Sequence, residues 1–120
     1  MAHIVVLGAG TGGMPAAYEM REELGREHEI TVVNEREYFQ FVPSNPWVAV
    51  GWRDRASVTF DIRPHLERKG INFVAKRCEK IDAAANTLTF GDGESLCNLA
   101  SIKPRFQFLD FGILGCAGAA

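Results

Sequence analysis

The protein is a chain of 120 residues with a formal net charge of −2, in which 47% of the residues are hydrophobic and 23% are charged. These values are typical of one small globular domain, and they argue against a strongly basic nucleic-acid-binding protein. The N-terminus lacks a signal-peptide pattern, and no apolar stretch approaches the roughly 20 residues of a membrane span, so we expect a cytoplasmic protein.

The first 34 residues follow the pattern of a βαβ unit. His3–Leu7 is short and almost entirely apolar, as in a strand that is buried on both faces of a parallel sheet. Glycines follow, and apolar residues at helical spacing then predict a helix over residues 14–24 that ends at Gly25. Glu29–Asn34 predicts a second strand, parallel and adjacent to the first.

The rest of the chain predicts a third parallel strand and a small hairpin. Residues 38–52 are aromatic and contain two prolines, which argue against a regular helix or a central strand. The elements predicted beyond them are a short helix at residues 63–69, a strand at residues 71–75, and a hairpin of Cys78–Asp82 with Thr87–Phe90. The fold class is therefore α/β, a Rossmann-like parallel sheet with a small β-hairpin.

The glycine-rich turn after the first strand predicts a dinucleotide-binding site. Residues 8–13 read Gly-Ala-Gly-Thr-Gly-Gly and fit the G-x-G-x-x-G pattern, with Gly8, Gly10 and Gly13 at its defining places. In this pattern the first glycine allows a sharp turn, the second lets the backbone approach a diphosphate, and the third lets the helix pack against the strand. Because strand, turn, helix and second strand have the expected spacing, nucleotide binding is favoured over a purely structural turn.

The end of the second strand is where this class of site holds the adenosine ribose. The pattern calls for an acidic residue there, but the strand ends in Asn34, and Glu35 and Arg36 follow. The Asn34 amide can still hydrogen-bond a hydroxyl group. Arg36 could instead contact a 2′-phosphate, which would favour NADP, and both charged residues could equally be solvated loop residues.

Two stretches of the chain carry a resemblance to a known family. The first is residues 2–18, AHIVVLGAGTGGMPAAY, and the second, more specific one is residues 38–52, YFQFVPSNPWVAVGW. They resemble bacterial sulfide:quinone oxidoreductases, which are FAD-dependent flavoproteins of the pyridine-nucleotide-disulfide-reductase type. The similarity continues to about Leu96. It implies an FAD-binding domain of an enzyme that oxidises sulfide and reduces a quinone while lying peripherally on the membrane.

The resemblance also assigns each part of FAD to residues of this chain. The implied contacts are Gly8, Gly10, Thr11, Gly12 and Gly13 for the diphosphate, Asn34 and Glu35 for the adenosine ribose, Pro43 for the flavin, and the backbone of Arg77 and Cys78 for the adenine. No catalytic residue is assigned, and the Cys78 side chain is expected to be merely small and partly buried. No histidine pair has metal-ligand spacing and no CxxC pair occurs, so we expect no metal site.

The resemblance stops after Leu96. The family continues into a strand of Tyr-Asp-Tyr-Leu-Val-Ile-Ala-Thr-Gly type, whereas residues 97–104 read CNLASIKP. We therefore expect residues 1–96 to be the N-terminal part of the FAD-binding domain, and residues 97–120 to be an unmatched tail outside the sheet, frame-shifted or disordered. A divergent short form is the alternative.

These expectations bear on activity. The family's redox cysteines, quinone pocket and membrane-binding helices come later in its sequences, so we expect this chain to be truncated and inactive alone. The other functional interpretations are a non-catalytic nucleotide-binding fragment and, more weakly, an NAD(P)-dependent oxidoreductase domain.

Overall fold

The computed structural model describes residues 2–97 and the strand at residues 113–114. The helices and strands are β1 His3–Leu7, α1 Gly13–Leu24, β2 Glu29–Asn34, β3 Tyr38–Gln40, α2 Asn45–Ala49, β4 Thr59–Asp61, α3 Ile62–Arg68, β5 Asn72–Ala75, β6 Cys78–Asp82, β7 Thr87–Phe90, β8 Ser95–Leu96 and β9 Ile113–Leu114. The largest sheet has four strands in the order β5-β2-β1-β9. No helix in the described part of the chain is long and apolar enough to span a bilayer.

The centre of this sheet is parallel. β2 lies between β1 and β5 and runs parallel to both, with His3 opposite Glu29 and Asn34 opposite Ala75. α1 connects β1 to β2, so the predicted βαβ unit and the predicted third parallel strand are confirmed. Because parallel strands end at one edge of a sheet, the glycine-rich turn after β1 lies beside the ends of β2 and β5.

The side chains of the central strands alternate between two hydrophobic cores. Ile4 and Val6 of β1 belong to a first core, and Val5 between them belongs to a second core. Successive side chains of a strand point to opposite faces, so the two cores lie on opposite faces of the sheet. The first core includes Met14 and Ala17 of α1 and Ile62 and Leu66 of α3, and the second includes Leu88 and Phe90 of β7.

The antiparallel sheet that covers the second core contains the predicted hairpin. β6 pairs with β7 as predicted, and β8 extends the sheet on the other side of β7, with Leu96 opposite Leu88. The turn between β6 and β7 occupies residues 83–86, also as predicted.

The aromatic segment, which we define as residues 38–61, forms its own small sheet. β3 and β4 pair antiparallel, with Tyr38 opposite Asp61, and α2 lies between them. The sequence argued against a regular helix here, and that expectation is wrong for the five residues of α2. Pro46 lies in the first turn of α2, where a backbone N–H has no helical partner to lose, so proline is compatible with this helix.

β9 corrects part of the prediction for the C-terminal tail. Its two residues pair antiparallel with β1, Leu114 opposite Val5 and Ile113 opposite Val6. The expectation that residues 97–120 stay outside the sheet is therefore wrong at these two positions. The open side of β1 offers backbone N–H and C=O groups that another strand can pair with. Residues 98–112 and 115–120 lie outside the described residues, so the rest of the tail prediction, including its frame-shifted or disordered character, stays a prediction.

Candidate dinucleotide-binding site

The glycine loop, which we define as residues 8–12, makes a sharp turn from β1 into α1. Gly8 has a φ of +100°, a backbone conformation that favours glycine. Its N–H donates to the carbonyl of Val33 in β2 at 2.7 Å. The start of the loop is therefore fixed to the neighbouring strand, and Gly8 has the turn role that the sequence predicted for it.

Gly13 sits where helix and strand approach most closely. A Cβ atom built on Gly13 would lie 1.8 Å from the Gly8 carbonyl oxygen and 3.5 Å from Cγ1 of Val6. The first of these contacts is with backbone and cannot be relieved by rotating a side chain. The packing of α1 on β1 thus requires glycine at this position, as the sequence predicted.

Gly10 differs from Gly13 because no packing contact within the described chain requires glycine at position 10. A Cβ atom built there meets no described atom within 4 Å, and its φ lies outside the left-handed region. Gly10 and Thr11 are both exposed at the tip of the loop. Glycine at position 10 therefore leaves open space on the outer side of the loop, which is the space that the pattern reserves for a diphosphate.

The N-terminus of α1 adds an electrostatic preference for an anion. Gly12 is the N-cap residue, no side chain caps the helix, and its first turn contains no acidic residue. The first N–H groups of a helix lack intrahelical partners, and its dipole places partial positive charge there. The loop and helix end together fit a diphosphate group.

Asn34 connects the end of β2 to the glycine loop. Its Oδ1 accepts a hydrogen bond from the Ala9 N–H at 3.1 Å, and its Nδ2 donates to the Arg36 carbonyl at 2.8 Å. Glu35 is exposed, and no described residue forms a hydrogen bond or ion pair with its side chain. The Arg36 guanidinium lies 5.7 Å from the centre of the Tyr38 ring. Asn34 and Glu35, the two residues predicted to contact the ribose, thus lie next to each other beside the loop. The Asn34 side chain is hydrogen-bonded within the protein, whereas the Glu35 side chain is exposed.

A mostly apolar cavity of about 450 Å³ opens beside the loop. It is lined by Thr11, Met14, Pro15 and Tyr18 on the α1 side, and by Phe39, Phe41, Phe60 and His65 on the other. The Phe39 and Phe60 rings stack with their centres 4.8 Å apart. The sequence analysis found the aromatic stretch of residues 38–52, but it missed Phe60 and the lining residues of α1 and α3, because nothing in a linear pattern indicates that these helices face it.

Pro43 is two residues beyond Phe41, one of the residues that line this cavity. It is exposed and lies in a 3-10 turn, Val42–Ser44, directly after Phe41. The turn is anchored at Ser44, which is buried and whose hydroxyl accepts a hydrogen bond from Nη1 of Arg53 at 2.7 Å. The same guanidinium lies 5.3 Å from the centre of the Trp47 ring. Pro43 is therefore held on an anchored turn that directly follows Phe41, which lines the cavity.

Arg77 and Cys78 lie at the start of the antiparallel sheet, after β5. The Arg77 carbonyl accepts a hydrogen bond from the Gly91 N–H at 3.2 Å, and Cys78 is paired with Phe90. Partial burial raises the pKa of the Cys78 thiol, which keeps it protonated and weakly nucleophilic at neutral pH. Within residues 2–97, no group of three or more His, Cys, Asp and Glu side chains could hold a metal ion.

Beside Arg77, Lys76 forms ion pairs that the sequence did not indicate. Its Nζ lies 2.7 Å from Oδ2 of Asp92 and also contacts Glu94. The hydrogen bond with Lys76 is the main cause that lowers the pKa of Asp92, and the hydrogen bonds with Asp92 and Glu94 raise the pKa of Lys76. These contacts join the end of β5 to the turn between β7 and β8.

The sequence profile of the pyridine nucleotide-disulphide oxidoreductases matches residues 2–99. The chain belongs to this family. Within it, the chain is 37% identical over 94 residues to the sulfide-quinone reductase of Aquifex aeolicus, a match that covers 78% of this chain and 22% of that protein. It is 30% identical over 113 residues to the mitochondrial external alternative NAD(P)H-ubiquinone oxidoreductase B4 of Arabidopsis thaliana, covering 92% of this chain and 18% of that protein.

The fold comparison agrees with the sequence comparison. The crystal structure of the Aquifex aeolicus sulfide:quinone oxidoreductase superposes with a TM-score of 0.75 at 36% identity, over 80% of this chain and 22% of that one. The resemblance and the Rossmann-like fold class are confirmed. The family and its sulfide-quinone reductases are FAD-dependent, so this chain represents a flavin-binding oxidoreductase domain. It spans about a fifth of the length of these relatives.

Proposed function

We propose that this chain binds FAD with the diphosphate against the outer side of the glycine loop, and that it serves an oxidoreductase that passes electrons from sulfide to a quinone at a membrane surface. The observation that carries the proposal is the contrast between Gly13 and Gly10. A Cβ at Gly13 would collide with the chain itself, whereas a Cβ at Gly10 would enter open space. A ligand that approaches the backbone gives a reason for glycine at position 10.

The diphosphate is the part of FAD that this loop suits best. It would meet the residues at positions 10–13, where the N-terminus of α1 has neither a side-chain cap nor an acidic residue. Gly8, Gly12 and Gly13 shape the turn, and Thr11 lies exposed at its tip. Anions are stabilised at helix N-termini by free N–H groups and by the helix dipole.

The adenosine half would lie toward the ends of β2 and β5. Glu35 is exposed beside the loop, and a carboxylate there accepts hydrogen bonds from ribose hydroxyls. We propose that the adenine meets the backbone of Arg77 and Cys78, which follow β5 at the same edge of the sheet. Arg36 is engaged with the Tyr38 ring, which favours the ribose hydroxyl over a 2′-phosphate as the group recognised here.

The flavin would lie on the other side of the loop, toward Pro43. Thr11 of the loop and Phe41 line one cavity, so the loop and the turn that carries Pro43 are connected by an apolar surface. When bound, FAD supplies two-electron redox chemistry. The residues of this chain would bind it, orient it and cover one side of it from water.

Sulfide as the electron donor and quinone as the acceptor are supported by the sulfide-quinone reductase, which is the more similar of the two relatives described above. We propose further that this chain alone does not oxidise sulfide. The family resemblance implies redox cysteines for this two-electron oxidation, and those cysteines come later in the family's sequences than the residues matched here. Cys78 packs on the second core, on the face of the sheet opposite the cavity, and its thiol pKa is raised. Cys97, the other described cysteine, is exposed beyond β8.

The test is a titration of the purified chain with FAD, NADH and NADPH, followed by flavin fluorescence and calorimetry. We expect FAD to bind and Gly10→Ala to weaken its affinity at least about tenfold without lowering the unfolding temperature. Ala83→Ser is the control, because it also enlarges a small exposed residue, in the turn between β6 and β7 that the proposal leaves free of FAD. Preferential binding of NADPH, or full FAD affinity in Gly10→Ala, would contradict the proposal.

A further inference from the structure

The side chain of Asn34 uses both of its polar groups within the protein. Its carbonyl oxygen accepts from the Ala9 N–H of the glycine loop, and its amide nitrogen donates to the Arg36 carbonyl. Residues 9 and 34 are 25 positions apart in the chain, so this one side chain connects two loops that meet only because β1 and β2 are adjacent.

The contact with Ala9 completes the attachment of the loop to β2. The Gly8 N–H donates to the Val33 carbonyl, and the next N–H, that of Ala9, donates to Oδ1 of Asn34. Ala9 is only 4% exposed, so without this acceptor its N–H would have little access to water. At the other end of the loop, the Met14 N–H donates to the Gly10 carbonyl at 3.1 Å, so the loop backbone is fixed on both sides.

The contact with Arg36 fixes the turn that carries Glu35. The Asn34 amide bridges to a carbonyl two residues later, so the backbone of position 35 is held between two bonded residues. The Glu35 side chain is exposed and has no partner among the described residues. The amide is the chemical group that suits both contacts, because it combines an accepting oxygen with a donating NH2 group, whereas an ionised carboxylate only accepts.

From these contacts, and on the basis of the FAD site proposed above, we infer that Asn34 is a positioning residue. It holds the glycine loop through Ala9 and orients the turn of Glu35, and the contact with the ribose hydroxyls belongs to Glu35. In the G-x-G-x-x-G pattern one acidic residue at the end of the second strand is expected to bind the ribose. Here we assign that contact to Glu35 and the positioning of the loop to Asn34.

A positioning role and a direct ribose contact predict opposite effects of Asn34→Asp on FAD affinity. If Asn34 bound the ribose, Asn34→Asp would restore the acidic residue of the pattern and keep or improve FAD affinity. If Asn34 positions the loop, the aspartate loses the donor to Arg36 and places a carboxylate against a carbonyl. We then expect Asn34→Asp and Asn34→Ala to weaken FAD binding by about tenfold each.

A second ligand separates positioning from contact. Affinities are measured for FAD and for FAD whose adenosine lacks the 2′-hydroxyl, in the wild type, Asn34→Ala and Glu35→Ala. We expect the ratio of the two affinities to stay at its wild-type value in Asn34→Ala and to fall toward one in Glu35→Ala. A ratio that falls in Asn34→Ala, or an unweakened Asn34→Asp, would overturn the inference.

A third measurement tests the contact without any ligand. Amide hydrogen exchange at Ala9 should become faster in Asn34→Ala and remain unchanged in Glu35→Ala, with both variants folded by circular dichroism. A wild-type chain that fails to bind FAD would refute the proposed function, and the exchange rate at Ala9 would still decide the positioning role. Unchanged exchange at Ala9 in Asn34→Ala would refute that role.

Discussion

The βαβ unit and the aromatic segment meet at the same cavity, but the βαβ unit buries most of its apolar side chains, whereas most of the large ones of the aromatic segment are exposed. In the βαβ unit, Ile4, Val5 and Val6 are buried, and α1 adds Met14 and Ala17 to the core. In the described chain, seven large hydrophobic residues are exposed, and six of them lie between positions 41 and 60.

This difference shows which residues serve the fold and which remain free for contacts beyond it. Apolar side chains of β1 and α1 are covered by the chain itself, so substitutions there should change the free energy of unfolding. Val50 and Trp52 are 63% and 77% exposed, so the chain itself covers little of either side chain. Substitutions there should leave unfolding unchanged.

The largest expected effect within the βαβ unit is that of Gly13→Ala. The new methyl group would lie 1.8 Å from the Gly8 carbonyl oxygen, so α1 or β1 must move. We expect a loss of about 3 kcal/mol or more in the free energy of unfolding, measured by urea denaturation. Gly10→Ala is the internal comparison and should change it by less than about 0.5 kcal/mol. Equal effects of the two substitutions would show that the loop is built differently.

A pair of truncations compares the buried core with the exposed segment directly. Leu66 of α3 is fully buried in the first core, and Leu66→Ala should cost about 2–5 kcal/mol of unfolding free energy. Trp52→Ala removes a larger side chain but should cost less than about 0.5 kcal/mol, because little of it is buried. Calorimetric unfolding of both variants checks this, and a large loss in Trp52→Ala would show that the Trp52 side chain packs into the fold.

The ion pairs at the end of β5 lie outside both the βαβ unit and the aromatic segment. We expect them to contribute less to the free energy of unfolding than the substitutions above. The pKa of Asp92 is lowered in the folded chain, so its contribution is present above its unfolded pKa and is lost as pH falls through the folded value. The pKa of Lys76 is raised, so its contribution is lost only as pH rises through the folded value, above 10.5.

Lys76→Met therefore should destabilise the chain at pH 7 and lose most of that effect near pH 2. Urea denaturation at the two values measures it, and added salt should weaken the effect at pH 7 because the side chains are exposed. Lys80→Met is the control, since no described residue forms an ion pair with exposed Lys80. The same loss at both pH values would show that the charge of Asp92 plays no part.

The smallest expected effect is that of Cys78→Ser. The thiol lies with the second core, on the face opposite the cavity. The proposed adenine contact is with the backbone, which Cys78→Ser keeps, so FAD affinity should remain at the wild-type value. Sulfide-dependent quinone reduction by the purified, FAD-supplemented chain should not exceed that of free FAD. Turnover above that level that Cys78→Ser abolishes would contradict both the placement of this thiol and its protonated state.

The sequence predicted the βαβ unit well because its determinants are local. Strands that are buried on both faces are continuously apolar, and the roles of Gly8 and Gly13 follow from backbone geometry that repeats in every such turn. The hairpin was predicted for the same reason, since the residues that form it are adjacent in the chain.

The features of the site that the sequence did not predict depend on contacts between residues that are distant in the chain. The hydrogen bond between Asn34 and Ala9, the cavity between α1 and the aromatic segment, and the ion pairs of Lys76 each join separate elements. No periodicity encodes them. The short helix α2 was missed because two prolines suggested a loop, although Pro46 occupies the one turn of a helix that accepts it.

The measurement that tests the central claim most directly is nuclear magnetic resonance of the ¹⁵N-labelled chain during titration with FAD. The account predicts that the largest changes in amide chemical shift fall on residues 10–13 and on Glu35, with smaller changes at Phe41, Ser44, Arg77 and Cys78. The turn at residues 83–86, between β6 and β7, should not change. Shifts that spare residues 10–13 and appear elsewhere would contradict the account, because they would show that the glycine loop does not hold the cofactor.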